Sequence, residues 1–260
     1  ALDDGRAREH ALATLRRMRA ESPEADAVPH TPGGIGGLLD DQVHTAAAAL
    51  DAYESTGDAA WLEWALAIMS RVWRDYLDPE AGGLFDASRD RGGEGLLPAR
   101  ARPIQDAPTP SGNGTAGIVA ARLHAHTGDA AWDRRAQSLA EAFAGRGAEL
   151  GLHGATYLVA VDWIVNAPTR LVVVGPADNP VAAAMHARAL RLPAARRVVQ
   201  RIGPEPSAAA VPPEVAGMLA AAAGMPRGVL CAGTTCSTPA ASEAEWAGLL
   251  ERILATGDLG

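Results

Sequence analysis

Apolar residues recur at helical spacing through the first two-thirds of the chain and in short β-branched runs after that. From Asp41 to Ser55, the residues Val43, Ala46, Ala47, Leu50 and Tyr53 fall at i, i+3, i+4, i+7 and i+10, which is one face of an α-helix. Gly57 can end that helix and Asp58 can cap the next, where Leu62, Ala65, Leu66, Met69 and Val72 repeat the spacing. A link as short as Thr56-Gly57-Asp58 folds two helices back as an antiparallel hairpin. The run Thr56-Gly57-Asp58-Ala59-Ala60-Trp61 returns about 71 residues later as Thr127-Gly128-Asp129-Ala130-Ala131-Trp132. A helix from about Asn113 to His126 precedes this second copy, and a return helix with Trp132, Ala136, Leu139, Ala140 and Phe143 follows it. Such self-similarity marks one supersecondary unit used more than once.

Other stretches extend the pattern. A helix is expected from about Asp3 to Ala20, followed by the Pro/Gly-rich connection Pro23 to Gly37, and another helix from about His153 to Val165 stops before Asn166-Ala167-Pro168. The chain opens at Ala1 without methionine, already inside a helical pattern, and so reads as trimmed. After Pro168 the grammar changes. Leu171 to Val174 reads as a strand, Asn179 to Leu190 as an Ala-rich helix, and Val198-Val199 and Val229-Leu230-Cys231 as further strands. Ser242 to Glu245 is a capping box opening a last helix with Trp246, Leu249, Leu250 and Ile253. The expected organisation is helical hairpins over residues 1–168 and a small α/β subdomain over 169–260.

Composition narrows the function classes. A formal charge of −8 and the lack of a basic stripe argue against nucleic-acid binding. No apolar run approaches a membrane span, and no leader pattern is visible. All 23 cationic residues are arginine, a bias that reads as genomic rather than functional. Two cysteines make no disulfide framework, so a reducing, cytoplasmic compartment is the default. Cys231 and Cys236 have neither redox-motif nor zinc spacing and are expected as free thiols, with a local regulatory disulfide as the alternative. His124 and His126 lie on different helix faces and do not form a metal pair; no metal or cofactor is expected.

Several segments carry a resemblance. Leu38-Leu39-Asp40-Asp41-Gln42, Tyr53 to Asp58, Asp78-Pro79-Glu80-Ala81-Gly82-Gly83-Leu84-Phe85-Asp86, Pro110-Ser111-Gly112-Asn113, Val172 to Gly175, and Cys231 to Cys236 before Pro239 follow one another in an order similar to the C-terminal part of the spermatogenesis-associated protein 20 family. That resemblance implies a mainly α fold, a partial (α/α) toroid of helical hairpins of the six-hairpin glycosidase type, followed by a small α/β subdomain. It also implies an N-terminal thioredoxin-like domain and further hairpins as partners. This chain has no Cys-x-x-Cys, so thioredoxin-like activity does not transfer to it. Carbohydrate chemistry is implied by fold analogy alone.

Aligning the two repeats pairs Asp40, Asp41 and Gln42 with Ser111, Gly112 and Asn113, and both triplets open an inner helix. In a ring of hairpins these starts would share a cavity. Asp40 and Asp41 are either caps complementing the helix dipole or a carboxylate pair, one member acting as acid or base on a sugar with His44 one turn away as proton partner. His44 can equally be a packed or solvated histidine. Ser111 fits an N-cap better than a nucleophile, since Pro-Ser-Gly-Asn is not a nucleophile elbow. Gln42, Ser111, Asn113, His30 and His153 are the candidate substrate contacts. Trp61 and Trp132 fit hairpin core better than sugar platforms. Two function classes remain: a carbohydrate-binding or carbohydrate-active part of a larger enzyme, and a non-catalytic scaffold for the thioredoxin-like domain or a protein partner, with self-association as a further possibility.

Overall fold

The computed structural model describes residues 4–91, 100–203, 225–233 and 235–256. The fold is mainly α with a small α/β part. Helix α1 (Gly5–Glu21), capped by Asp4, precedes two hairpins, α2 (Leu39–Thr56) with α3 (Ala59–Asp75) and α4 (Gly112–Thr127) with α5 (Ala130–Ala142). A one-turn helix α6 (Gly147–Leu150) and a 3-10 turn (Gly151–Gly154) lead into α7 (Ala155–Val165). Both hairpin turns are built alike. Gly57 and Gly128 are left-handed at φ 73°, a conformation that costs glycine no Cβ clash, and Asp58 and Asp129 accept from the backbone N–H two residues on.

The inner helices α2, α4 and α7 stand in a row, with α3 and α5 behind α2 and α4. Val43, Ala46, Leu50, Trp61, Met69, Val119, Leu123 and Trp132 fill one continuous core, and both repeat tryptophans are packing residues. Small residues allow the row to close up. A methyl group added at Gly114 would stand 2.9 Å from the Thr156 backbone carbon, and one at Gly117 would stand 3.1 Å from Ala160 Cβ. No helix among the described residues is long and apolar enough to cross a membrane.

After Pro168 come β1 (Thr169–Val174), α8 (Pro180–Leu190), β2 (Arg197–Ile202), β3 (Arg227–Ala232), β4 (Thr235–Cys236) and α9 (Glu243–Thr256). The sheet order is β2-β1-β3-β4, with β1 parallel to β2 and antiparallel to β3. From Leu171 to Val174, β1 is apolar on both faces because both are covered. Leu171, Val173, Val199 and Leu230 pack with Met185 of α8 and Trp246 of α9. On the other face Val198 meets Ala125 and Trp163.

That second face also receives a buried polar network at the C-terminal ends of α2 and α4. Glu54 accepts from Arg122 Nη2 at 2.9 Å and from His126 Nε2 at 3.1 Å, and its backbone oxygen accepts from His186 of α8 at 2.7 Å. Gln200 of β2 donates to the His126 carbonyl. Burial alone would raise the Glu54 pKa, but Arg122 and His126 overcome it and hold the carboxyl at about 2.

Two expectations are corrected here. Cys231 and Cys236 are joined as a disulfide rather than free, because β3 and β4 place them directly opposite each other. Asp40 and Asp41 do not cap α2. The helix starts at Leu39, two residues earlier than capping by Asp40 requires, with Leu38 as an uncapped N-cap, so both aspartates lie in the first turn, where they complement the dipole.

Candidate functional site

The starts of α2, α4 and α7 meet at the end of the helix row opposite the sheet. Asp40 lies against the first residue of α4, so that a methyl group on Gly112 would stand 2.5 Å from its Oδ1. Asp106, in the loop before α4, accepts from Ser111 N with one oxygen and from Thr156 N with the other, both at 2.9 Å. It thereby ties the N-terminus of α4 to that of α7, each of which has unpaired N–H groups to offer. The Asp106 backbone donates to the His153 carbonyl at 2.7 Å, and His153 Nδ1 donates back to the Asp106 carbonyl at 3.3 Å.

Around this junction sit two carboxylate–imidazole couples. His30 Nδ1 donates to the two oxygens of Asp41 at 3.1 and 3.2 Å. His44 lies one turn beyond Asp40, near enough to act on its charge, and its Nε2 donates to the Pro110 carbonyl at 3.2 Å. The environments of the acids differ. Burial raises the Asp40 pKa, opposed by His44 and reinforced by Asp41 and Asp86. Asp106 goes the other way: burial would raise it, but the N–H groups of Thr156 and Ser111 bind its charged form and hold it below the usual range. The junction therefore offers one acid whose pKa is raised and one whose pKa is lowered.

The remaining candidates are occupied by the fold itself. Gln42, 1% exposed, accepts from Val28 N at 2.8 Å and donates to Val28 O at 2.7 Å. Asn113, 2% exposed, does the same for Leu84, accepting from its N at 2.7 Å and donating to its O at 2.9 Å, and also donates to Pro103 O. These are equivalent positions of the two repeats, and each clamps one residue of the loop that runs beside its helix. Ser111 caps α4 through Gly114 N at 3.1 Å. The structure thus brings Asp40, Asp41, His30 and His44 to one accessible rim, places His153 at its edge, and spends Gln42, Asn113 and Ser111 on holding it.

Asp106 escaped the sequence reading because it stands in a loop without a motif. So did the pair of Arg122 with Asp51, 2.7 Å apart. Its signal was available, since these two residues hold the same place in the two repeats with opposite charge. A separate cavity of about 180 Å³ lies behind the loop carrying His30, lined by Val28, Gly37, Arg71, Tyr76 and Ser88 among others. Among the described residues no group of three or more His, Cys, Asp or Glu is arranged to hold a metal ion.

No family model matches the chain. Over 110 residues, 42% of this chain, it is 34% identical to spermatogenesis-associated protein 20 of Mus musculus. Over 119 residues, 46% of this chain, it is 33% identical to the Homo sapiens protein of the same name. The matched stretch spans only 14% and 15% of the length of these two relatives. Over that stretch the chain is similar to the spermatogenesis-associated protein 20 family.

Proposed function

We propose that the rim of Asp40, Asp41, His30 and His44 binds carbohydrate and acts on it by general acid–base chemistry, within a longer cytoplasmic protein whose further helical hairpins complete an (α/α) toroid. In this reading the chain is the C-terminal part, with hairpins over 1–168 and an α/β unit over 169–260, and a thioredoxin-like domain precedes it. The observation that carries it is the contrast at one junction between Asp40, set against the start of α4 with its pKa raised, and the neighbouring Asp41, hydrogen-bonded to His30. Two carboxylates with different surroundings are what proton donation and proton abstraction at a sugar require. The test is titration of the chain with neutral monosaccharides and disaccharides, followed through the imidazole signals of His30 and His44 by NMR. Saturable shifts lost in Asp41→Asn support the reading. Unperturbed imidazoles across the panel, in this chain and in a longer gene product, sink it.

One observation favours a second reading, a non-catalytic scaffold. α7 is apolar nearly all round, and beyond the side packed on α4 and α5 it exposes Leu158 and Val165, with Leu152 before it 91% exposed. In this reading the occupant of that face is a further hairpin of the longer protein. A clean monomer that binds no apolar dye would count against it.

A further inference from the structure

The disulfide at the edge of the sheet is not what holds its two strands together. β4 pairs with β3 only at Cys236 opposite Cys231 and Thr235 opposite Ala232. The chain beyond β4 nonetheless stays bound to β3. Ser237 N donates to Leu230 O at 2.8 Å, its Oγ accepts from Leu230 N at 3.2 Å, and Gly228 and Ala240 exchange both backbone hydrogen bonds at 2.9 and 2.8 Å. These bonds keep Cys236 against Cys231 whether or not the sulfurs are joined. The cross-link also spans a sequence separation of only 5, where constraint of the unfolded chain is small. A staple would add little here, whereas a pair that can open and close without disturbing the sheet is well provided for.

The two sulfurs differ in access and in charge. Cys236 lies on the edge strand and is half-buried, while Cys231 is 1% exposed. Arg170 of β1 stands directly opposite Cys231 in the antiparallel register, which puts the two side chains on the same face. A cation carried on the same sheet face favours the Cys231 thiolate, and a thiol of lower pKa leaves faster.

We propose that Cys231–Cys236 is a thiol–disulfide exchange site for a dithiol partner, with Cys236 the sulfur attacked and Cys231 the sulfur that leaves. A thiolate of the partner bonds to Cys236 Sγ, the Cys231–Cys236 bond breaks, and its electron pair stays on Cys231, on the sheet face that also carries Arg170. The partner's second thiolate then attacks the partner's first sulfur, and Cys236 departs with the bonding pair. Two electrons and two protons pass to this chain, which becomes a dithiol, and the partner becomes a disulfide. The reverse sequence reoxidises the chain. None of this depends on the carbohydrate reading.

The experiment treats the folded chain with dithiothreitol, or with reduced glutathione, without denaturant, then alkylates and maps both cysteines by mass spectrometry. Both thiols should become alkylatable while the circular dichroism stays unchanged. The glutathione adduct should be trapped on Cys236 at least several-fold more often than on Cys231. Arg170→Met should slow the first step several-fold in a chain with the same dichroism, and because that variant could misfold, the adduct map on the unaltered chain stands as the independent test. The proposal is overturned if the pair yields only after unfolding in urea, if reduction melts the sheet, if adducts divide evenly, or if the chain carries two thiols that oxidised glutathione does not join.

Discussion

Asp41 and Glu54 sit near opposite ends of α2, and each accepts from an imidazole nitrogen at 3.1 Å. The contacts match in length and differ in surroundings. In the first pair the side chains of His30 and Asp41 are 54% and 21% exposed, while those of His126 and Glu54 are 0% and 7% exposed. At the open end water screens the pair and competes for both partners, so the contact adds little to stability and stays available for chemistry. At the closed end no water compensates a missing partner, and Arg122, itself only 11% exposed, depends on the same carboxylate. The distance of a contact therefore says less about its role than the fate of the group left behind when it is broken.

The sharpest way to break the comparison is Glu54→Gln. It removes the buried charge that Arg122 and His126 share, leaving Arg122 only the exposed Asp51, and should cost about 3–5 kcal/mol in urea unfolding at neutral pH, whereas Asp41→Asn should cost under about 1 kcal/mol. Equal costs would mean that burial does not separate the two ends.

Acid should reach the closed end in two steps. His126 and His186 have pKa values lowered by burial, so the unfolded chain binds more protons than the folded one, and stability falls as the pH drops below about 6.5. Glu54 is held at about 2 against an unfolded value of 4.5. Its contribution is complete above about 5 and disappears as the pH falls toward 2, a loss of about 3 kcal/mol. Urea midpoints measured from pH 8 to pH 3 should fall along both limbs. Replacing His126 and His186 by Gln should flatten the upper limb and shrink the lower one without abolishing it, because Arg122 still holds Glu54 low, and an unchanged upper limb would remove the histidines from the account.

The loop clamps come next. Gln42→Leu and Asn113→Leu each leave a buried N–H and C=O without a partner, at Val28 and at Leu84, and should cost about 1–3 kcal/mol each. The two clamps share no hydrogen-bond partner but stand at the adjoining starts of α2 and α4, so a double variant whose loss departs from the sum would measure coupling across that junction.

What could be read from the sequence follows from the range of the interactions. The hairpins were legible because their signals are local: glycine at a left-handed turn, aspartate capping the next helix, and apolar residues at helical spacing. The strands after Pro168 were legible from β-branched runs for the same reason. The position of Asp40 and Asp41 at the rim followed from the repeat alignment, but their failure to cap did not, since residue preference at a helix start leaves the boundary uncertain by a residue or two. Gln42 and Asn113 looked like ligand contacts because nothing local shows that Val28 and Leu84 will return to occupy their amides. The Glu54 network joins α2, α4, α8 and β2, and the disulfide depends on strand register. Both are tertiary facts with no sequence period of their own.

The smallest expected effect on stability sharpens the comparison most. Asp40→Asn removes a first-turn charge that complements the dipole of α2, but burial already works against that charge. The two contributions oppose each other, and the variant should unfold within about 0.5 kcal/mol of the unaltered chain. If the rim acts on sugars, the same change should abolish turnover in a protein that is otherwise indistinguishable by dichroism and urea midpoint, because an amide cannot donate the proton that a carboxylic acid holds. A loss of more than about 2 kcal/mol would instead mark Asp40 as a structural tie between α2 and Gly112. The open end would then differ from the closed end only in its exposure, not in its purpose.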